Sequence, residues 1–260
     1  MLYRLDDFNE NPINPITNTP YDDSWIVLML TDASDYQFMC GSFNGCGYTL
    51  KVSRIHQGWE YAVCDFIGFH EACNKNIIAV ISENDFQSAT ETYGSHCYND
   101  QFLRKNEPKI LVHSTTLENG TSIQKDRELK SQHMLNNGEF PIGRLLGDPE
   151  DFSDYIMFSG GDIAGEIVVN SKQSGKIVMD ENAQYQTGAR LYFDAQKIAA
   201  EGLLLRDGAH LKVKDRLPLE PYLIWTATWE NTGLPGRIST PKIFTEAANG
   251  EFYRRYQIIL

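Results

Sequence analysis

The chain is short of positive charge: 23 Lys and Arg stand against 35 Asp and Glu, a formal net charge of −12. Proteins that follow a nucleic acid set a basic face against its phosphates. A long RNA or DNA footprint is therefore disfavoured, although Lys109, Lys125, Arg127, Lys130, Arg144 and Arg190 leave material for a local basic groove. No apolar run reaches the roughly 18 residues that a membrane-crossing helix needs, so no membrane partner is expected. Residues 1–15 are polar and acidic, without the basic start and apolar centre of a secretory signal. The five cysteines, Cys40, Cys46, Cys64, Cys73 and Cys97, are odd in number. Without a signal sequence they do not suggest a disulfide framework, and a reduced, cytoplasmic protein is expected. There is no internal repeat and no low-complexity tract. The glycine-rich stretch 41–47 is not followed by Lys-Ser/Thr or an opening helix, which excludes a phosphate-binding loop.

What is present is an ordinary folding composition, 42% hydrophobic, 22% charged and 12% aromatic over 260 residues, enough for one large domain or two small ones. Residues 1–24, rich in Asn, Pro and Asp, read as an irregular arm. Strand-like runs follow at 25–30, 36–42, 48–55 and 60–67, separated by turn clusters, a spacing that predicts an antiparallel meander. The apolar run 77–82 predicts a buried strand, and 83–93 a helix. Residues 99–108 are polar and charged and read as a linker, with a boundary near Asn106. Beyond it the pattern predicts strands at 109–113, 154–159, 166–170, 176–179, 190–194, 203–206 and 211–214. Helices are predicted at about 120–132 and 195–201. Asn136-Asn137-Gly138 ends the first of these helices, and Asp207-Gly208 reads as a hairpin turn. Residues 219–229 form a last apolar run. The expected fold is α+β, with a β-rich module over 1–106 and a second domain over 107–260.

Lys109-Ile110-Leu111-Val112-His113-Ser114-Thr115 is a short apolar run that ends in an imidazole and two hydroxyls, the kind of strand end that often holds a ligand. With Asn119, Ile123 and Leu129 behind it, it is the first of three ordered pieces. The second is Tyr155-Ile156-Met157-Phe158-Ser159. The third is Ala189-Arg190-Leu191-Tyr192-Phe193-Asp194-Ala195, followed by Gly202, Leu203, Leu204, Leu205, Arg206, Gly208, Leu211, Asp215, Leu217 and Pro218. In order and spacing, residues 109–225 resemble the catalytic domain of the RNA 2′-phosphotransferases, within the ADP-ribosyltransferase superfamily. The resemblance implies two small packed sheets. It also implies an NAD-dependent transferase that breaks the nicotinamide–ribose bond and passes ADP-ribose to an acceptor, with NAD as co-substrate. Ser114 stands for the family's usual Gly and Met157 for a frequent His, and its N-terminal Arg-His-Gly element is not evident in residues 1–108.

Breaking the nicotinamide–ribose bond builds positive charge on the ribose, so such a site must hold the hydroxyls and offset the cation. By resemblance, His113 would bind a ribose, and Ser114 with Thr115 would line the nicotinamide pocket. Tyr155 or Tyr185 would stack on the ring, Ser159 would join the cofactor-binding residues, and Arg206 would fork onto a phosphate. Glu166 is the first candidate for the stabilising carboxylate and Asp207 the second. Catalysis is thus expected of His113, Glu166 and Arg206. The acidic balance favours a protein or small-molecule acceptor over nucleic acid. Two alternatives stand beside this reading: an RNA 2′-phosphotransferase, and a non-catalytic binding protein on the same fold, which Met157 in place of His would suit.

The cysteines and histidines of the first hundred residues invite two rival readings. Cys40-x5-Cys46, Cys64, His70-x2-Cys73 and His96-Cys97 match no common zinc ribbon or finger, and no metal is expected. A nucleophile pair of Cys64 or Cys73 with His70 lacks any surrounding motif.

Overall fold

A computed structural model of the chain describes residues 1–95, 101–135 and 142–260. The fold is mixed α+β with several small sheets. The chain divides into two compact units: Met1–Asn99 with Gly143–Phe152 and Arg206–His210, and Asp100–Ile142 with Ser153–Leu205 and Leu211–Leu260.

The first unit is built on β1 (Leu2–Leu5), β2 (Trp25–Thr31), β3 (Phe38–Ser42), β4 (Tyr48–Ser53), α1 (Trp59–Ala72), β5 (Asn76–Val80) and α2 (Glu83–Ser95). Its sheet has the order β1-β5-β2-β4-β3. The pairs β1–β5, β2–β5 and β2–β4 are parallel, and β3 runs antiparallel to β4. The expected antiparallel meander is therefore corrected to a mainly parallel sheet. The cause lies in residues 60–67, which form the first half of α1 rather than a strand. Val63, Phe66, Ile67 and His70 are buried at helical spacing, and this helix supplies the crossover that parallel neighbours require. The aromatic and β-branched content of that stretch imitates a strand. Residues 2–5, expected to be irregular, form an edge strand in register with Ile77–Val80.

The second unit continues with β6 (Ile110–Thr115), α3 (Leu117–Asp126), β7 (Glu128–Lys130) and α4 (Gln132–Leu135). After α5 (Ile142–Leu146), most of which belongs with the first unit, come β8 (Tyr155–Phe158), α6 (Ala164–Ser174), β9 (Tyr185–Gln186), β10 (Ala189–Asp194) and α7 (Ala195–Ala200). The chain closes with β11 (Leu205–Arg206), β12 (Leu211–Lys214), β13 (Arg216–Pro218), β14 (Leu223–Ala227), β15 (Ile238–Ser239) and α8 (Pro241–Tyr256). Residues 166–170, expected as a strand, lie in α6, which buries Glu166, Ile167, Val169, Asn170 and Ser171. Its Ile-Val-Val run is strand-like in composition, but the buried positions follow a helical period. Residues 176–179, also expected as a strand, are irregular. The Ser171 hydroxyl takes the Val178 N–H at 3.0 Å, which satisfies that backbone without a sheet partner. The expected break at Asn136-Asn137-Gly138 lies outside the described residues.

The central sheet of this unit, β14-β10-β6, is antiparallel. Its register sets the side chains into two faces. Leu111, Ala189, Leu191 and Phe193 point one way, into a core shared with Ile156 and Phe158 of β8 and Val213 of β12. Ile110, Val112, Tyr192 and Ala227 point the other way, against Val169 of α6 and Phe244, Ala248 and Phe252 of α8. Strands β8 and β12 form an antiparallel pair of their own. A single bridge, Val112↔Ser159, ties β6 to the end of β8. One apolar layer thus lies between two sheets, and another lies under the helices.

Candidate functional site

His113 sits opposite Leu191 in the register and shares its face, the one turned towards β8 and β12. Its Nδ1 lies 3.1 Å from the carbonyl oxygen of Met157 on β8. A carbonyl only accepts, so this contact puts a ring proton on Nδ1; in the neutral ring Nε2 is then the accepting nitrogen. The ring also meets Phe158 edge-on at 6.1 Å. Along this face the layer between the sheets is apolar at Phe193, Leu111 and Leu191, and turns polar at His113 and Thr115. Thr115 is 9% exposed. Next to it, a Cβ on Gly188 would overlap the Thr115 carbonyl oxygen, so the turn into β10 admits only glycine. Thr116 caps α3 by accepting the Asn119 N–H at 3.2 Å, which fixes where strand ends and helix begins.

Ser114 points to the opposite face, paired with Arg190. Arg190 is wholly buried and every arm of its guanidinium is used. Nη1 reaches Glu166 Oε1 at 3.2 Å, and Ser114 Oγ and Thr245 Oγ1 at 3.4 Å. Nη2 donates to the Gly161 carbonyl at 2.9 Å and to that of Asp162 at 3.3 Å. Nε donates to the Tyr192 hydroxyl at 3.3 Å. Glu166, also without exposure, accepts a 2.5 Å hydrogen bond from the Tyr185 hydroxyl. Burial and the neighbouring Glu166 carboxylate push the Tyr185 phenol far above its ordinary range. Arg190 is likewise held charged: burial works against it, and Glu166 and Tyr192 outweigh burial. A buried ion pair persists when its remaining donors and acceptors are filled in this way.

The expected site residues therefore do not converge on one point. His113 and Thr115 share the layer between the sheets. Ser114, Glu166 and Tyr185 lie on the helix-covered face with Arg190, and Ser159, paired with Val112, belongs to that side as well. Tyr155 lies four residues from Ser159, roughly 13 Å along the strand. It alternates away from the core residues Ile156 and Phe158 and carries the Lys212 ammonium 4.7 Å over its ring. Arg206 ends β11, in the short segment that groups with the first unit. Asp194, part of the resembling pattern, caps α7 by accepting the Lys197 N–H at 3.1 Å. The residue whose part sequence reasoning missed is Arg190, named as charge available for a basic groove and as a member of the third resembling piece but given no role in the site. Its signal was a lone arginine inside the run Arg190-Leu191-Tyr192-Phe193, where a charge must find a buried partner.

His70 is fully buried and ringed by Phe66, Phe69, Tyr48 and Phe152, at centroid distances of 4.5 to 6.2 Å. This is aromatic packing. Among the described residues no group of His, Cys, Asp and Glu is arranged to hold a metal ion, and no helix is long and apolar enough to cross a membrane; His96 and Cys97 lie outside them. No family model, curated protein or solved structure matches the chain.

Proposed function

We propose that the second unit binds NAD where the layer between its two sheets turns polar, and passes ADP-ribose to a protein or small-molecule acceptor. The observation that carries this reading is the hydrogen bond from His113 Nδ1 to the Met157 carbonyl, which crosses from one sheet to the other. It locks the imidazole at a strand end with Nε2 as an acceptor, suited to a ribose hydroxyl. Thr115, two residues on, adds a hydroxyl on the same face.

In the transfer, the bond between the anomeric carbon and the nicotinamide nitrogen breaks, and its electron pair leaves with nicotinamide. The acceptor atom then bonds to that carbon and releases its proton to solvent. His113 holds the ribose against this change. Glu166 is a positioning residue from the far face: through Arg190 and Ser114 it fixes β6 one residue from His113.

A second reading, binding without chemistry, is favoured by one observation: the Glu166 carboxylate is enclosed by Arg190 and Tyr185 and lies off the His113 face. The acidic net charge weighs against an RNA 2′-phosphate substrate. Incubation with NAD, followed by nicotinamide release and by melting temperature, separates these readings. Release supports transfer, a raised melting temperature without release supports binding alone, and neither effect refutes both.

A further inference from the structure

The first unit contains a cluster that the reading above does not use. Cys40, on the edge strand β3, places Sγ 3.7 Å from Nε2 of His210. The other ring nitrogen of His210, Nδ1, lies 3.2 Å from Asp207 Oδ2. Asp207 is 1% exposed, and its second oxygen accepts the backbone N–H groups of Ala209 at 3.0 Å and His210 at 2.7 Å. The carboxylate is thereby held rigidly behind the imidazole. Gly208 sets this turn in place: at φ +87° a Cβ there would overlap the Ala62 carbonyl of α1 and crowd Leu50 and Phe66. Cys40 is half-buried and the His210 side chain keeps 28% of its exposure, so the pair is open to a small molecule.

Burial alone would lower the His210 pKa, but the Asp207 carboxylate raises it to about 10, and the ring is an imidazolium at neutral pH. Its Nε2 proton is directed at the Cys40 sulfur, 3.7 Å away. Tyr48 completes the group. It is 4% exposed, and among the described residues its hydroxyl meets no hydrogen-bonding group other than the Cys40 sulfur. Burial first, then the nearby Asp207, Cys40 and Asp148, push its phenol well above the ordinary value. A buried O–H set against the nucleophile's own sulfur is placed to turn onto a developing oxyanion.

We propose that Cys40, His210 and Asp207 form a nucleophilic triad, with Tyr48 as oxyanion donor, that takes acyl groups from activated esters or thioesters. The Cys40 sulfur forms a C–S bond to the acyl carbon, the bond to the leaving oxygen or sulfur breaks, and that atom takes the proton of His210 Nε2. Water then adds to the thioester and gives its proton to Nε2. The C–S bond breaks, the carboxylic acid leaves and the thiolate–imidazolium pair returns. The order nucleophile, base and orienting carboxylate follows the general logic of covalent catalysis.

The test uses the full chain with iodoacetamide across pH 5–9, each thiol read by peptide mass spectrometry. Cys40 should alkylate at pH 6 at least about tenfold faster than Cys64 and Cys73, the other half-buried thiols among the described residues. His210→Gln and, separately, Asp207→Asn should move the Cys40 profile towards that of an ordinary thiol, near pH 8.5, with melting curves confirming that the fold is kept. p-Nitrophenyl acetate should leave acetyl on the Cys40 peptide and release p-nitrophenol in a burst that Cys40→Ser abolishes. An ordinary Cys40 profile unaffected by both substitutions overturns the thiolate pair. A fast thiolate with no acetyl adduct overturns the acyl-transfer role.

Discussion

The Glu166 carboxylate and the Arg190 guanidinium meet at 3.2 Å with neither side chain exposed. Removing one partner of such a pair leaves the other charged, buried and unmatched, a cost of about 3–5 kcal/mol. Glu166→Gln should therefore lower unfolding stability by that order, measured by urea titration. A change under about 1 kcal/mol would mean that water reaches the pair and screens it.

The same network makes an alkaline prediction. The Tyr185 and Tyr192 phenols are raised above their ordinary value of 10.0, in each case first by burial. A phenol with a higher pKa folded than unfolded keeps its proton in the native state while the unfolded chain loses it. The resulting stability is complete below pH 10 and declines as pH rises further. Melting temperature should fall between pH 9.5 and 11, and Tyr185→Phe should flatten that fall. An unchanged slope in the variant would place the loss elsewhere.

Two glycines should respond in opposite directions to the same substitution. At Gly188 an added Cβ would overlap the Thr115 carbonyl, while at Gly68, in the middle of α1, it meets nothing within 4 Å. Gly188→Ala should destabilise by several kcal/mol, on the order of other backbone clashes. Gly68→Ala should stabilise by about 0.5–1 kcal/mol, the usual helix-interior gain. Paired thermal melts check both signs.

Much of the second unit is legible from local pattern. The expected strands near 109–113, 154–159, 190–194 and 211–214 correspond to β6, β8, β10 and β12, and α7 follows Asp194 as its capping chemistry implies. Two of the misread segments share one cause. Residues 60–67 and 166–170 combine β-branched or aromatic residues with polar ones, and composition outweighed the 3.6-residue spacing of Val63, Phe66, Ile67 and His70, and of Glu166, Ile167 and Asn170. Helix α8 was unread, although Thr240 before Pro241 is a start signal, with Thr240 Oγ1 taking the Ile243 N–H at 3.2 Å. Which faces the site residues would occupy was not legible. That depends on the alternation of His113 and Ser114 about a register with β10 that only the assembled sheet defines. Nor could Cys40 and His210, 170 positions apart, announce each other.

The reading of the second unit rests most heavily on His113. Nicotinamide release from NAD should be measured for the wild-type chain and for His113→Ala, alongside the melting temperature of each without NAD. The expected result is release by the wild type, reduced at least about tenfold in the variant, as loss of a ribose-positioning contact implies, with the two proteins melting within a few degrees of each other. Equal release by both, or no release and no NAD-dependent rise in melting temperature for the wild type, would contradict an NAD site at His113.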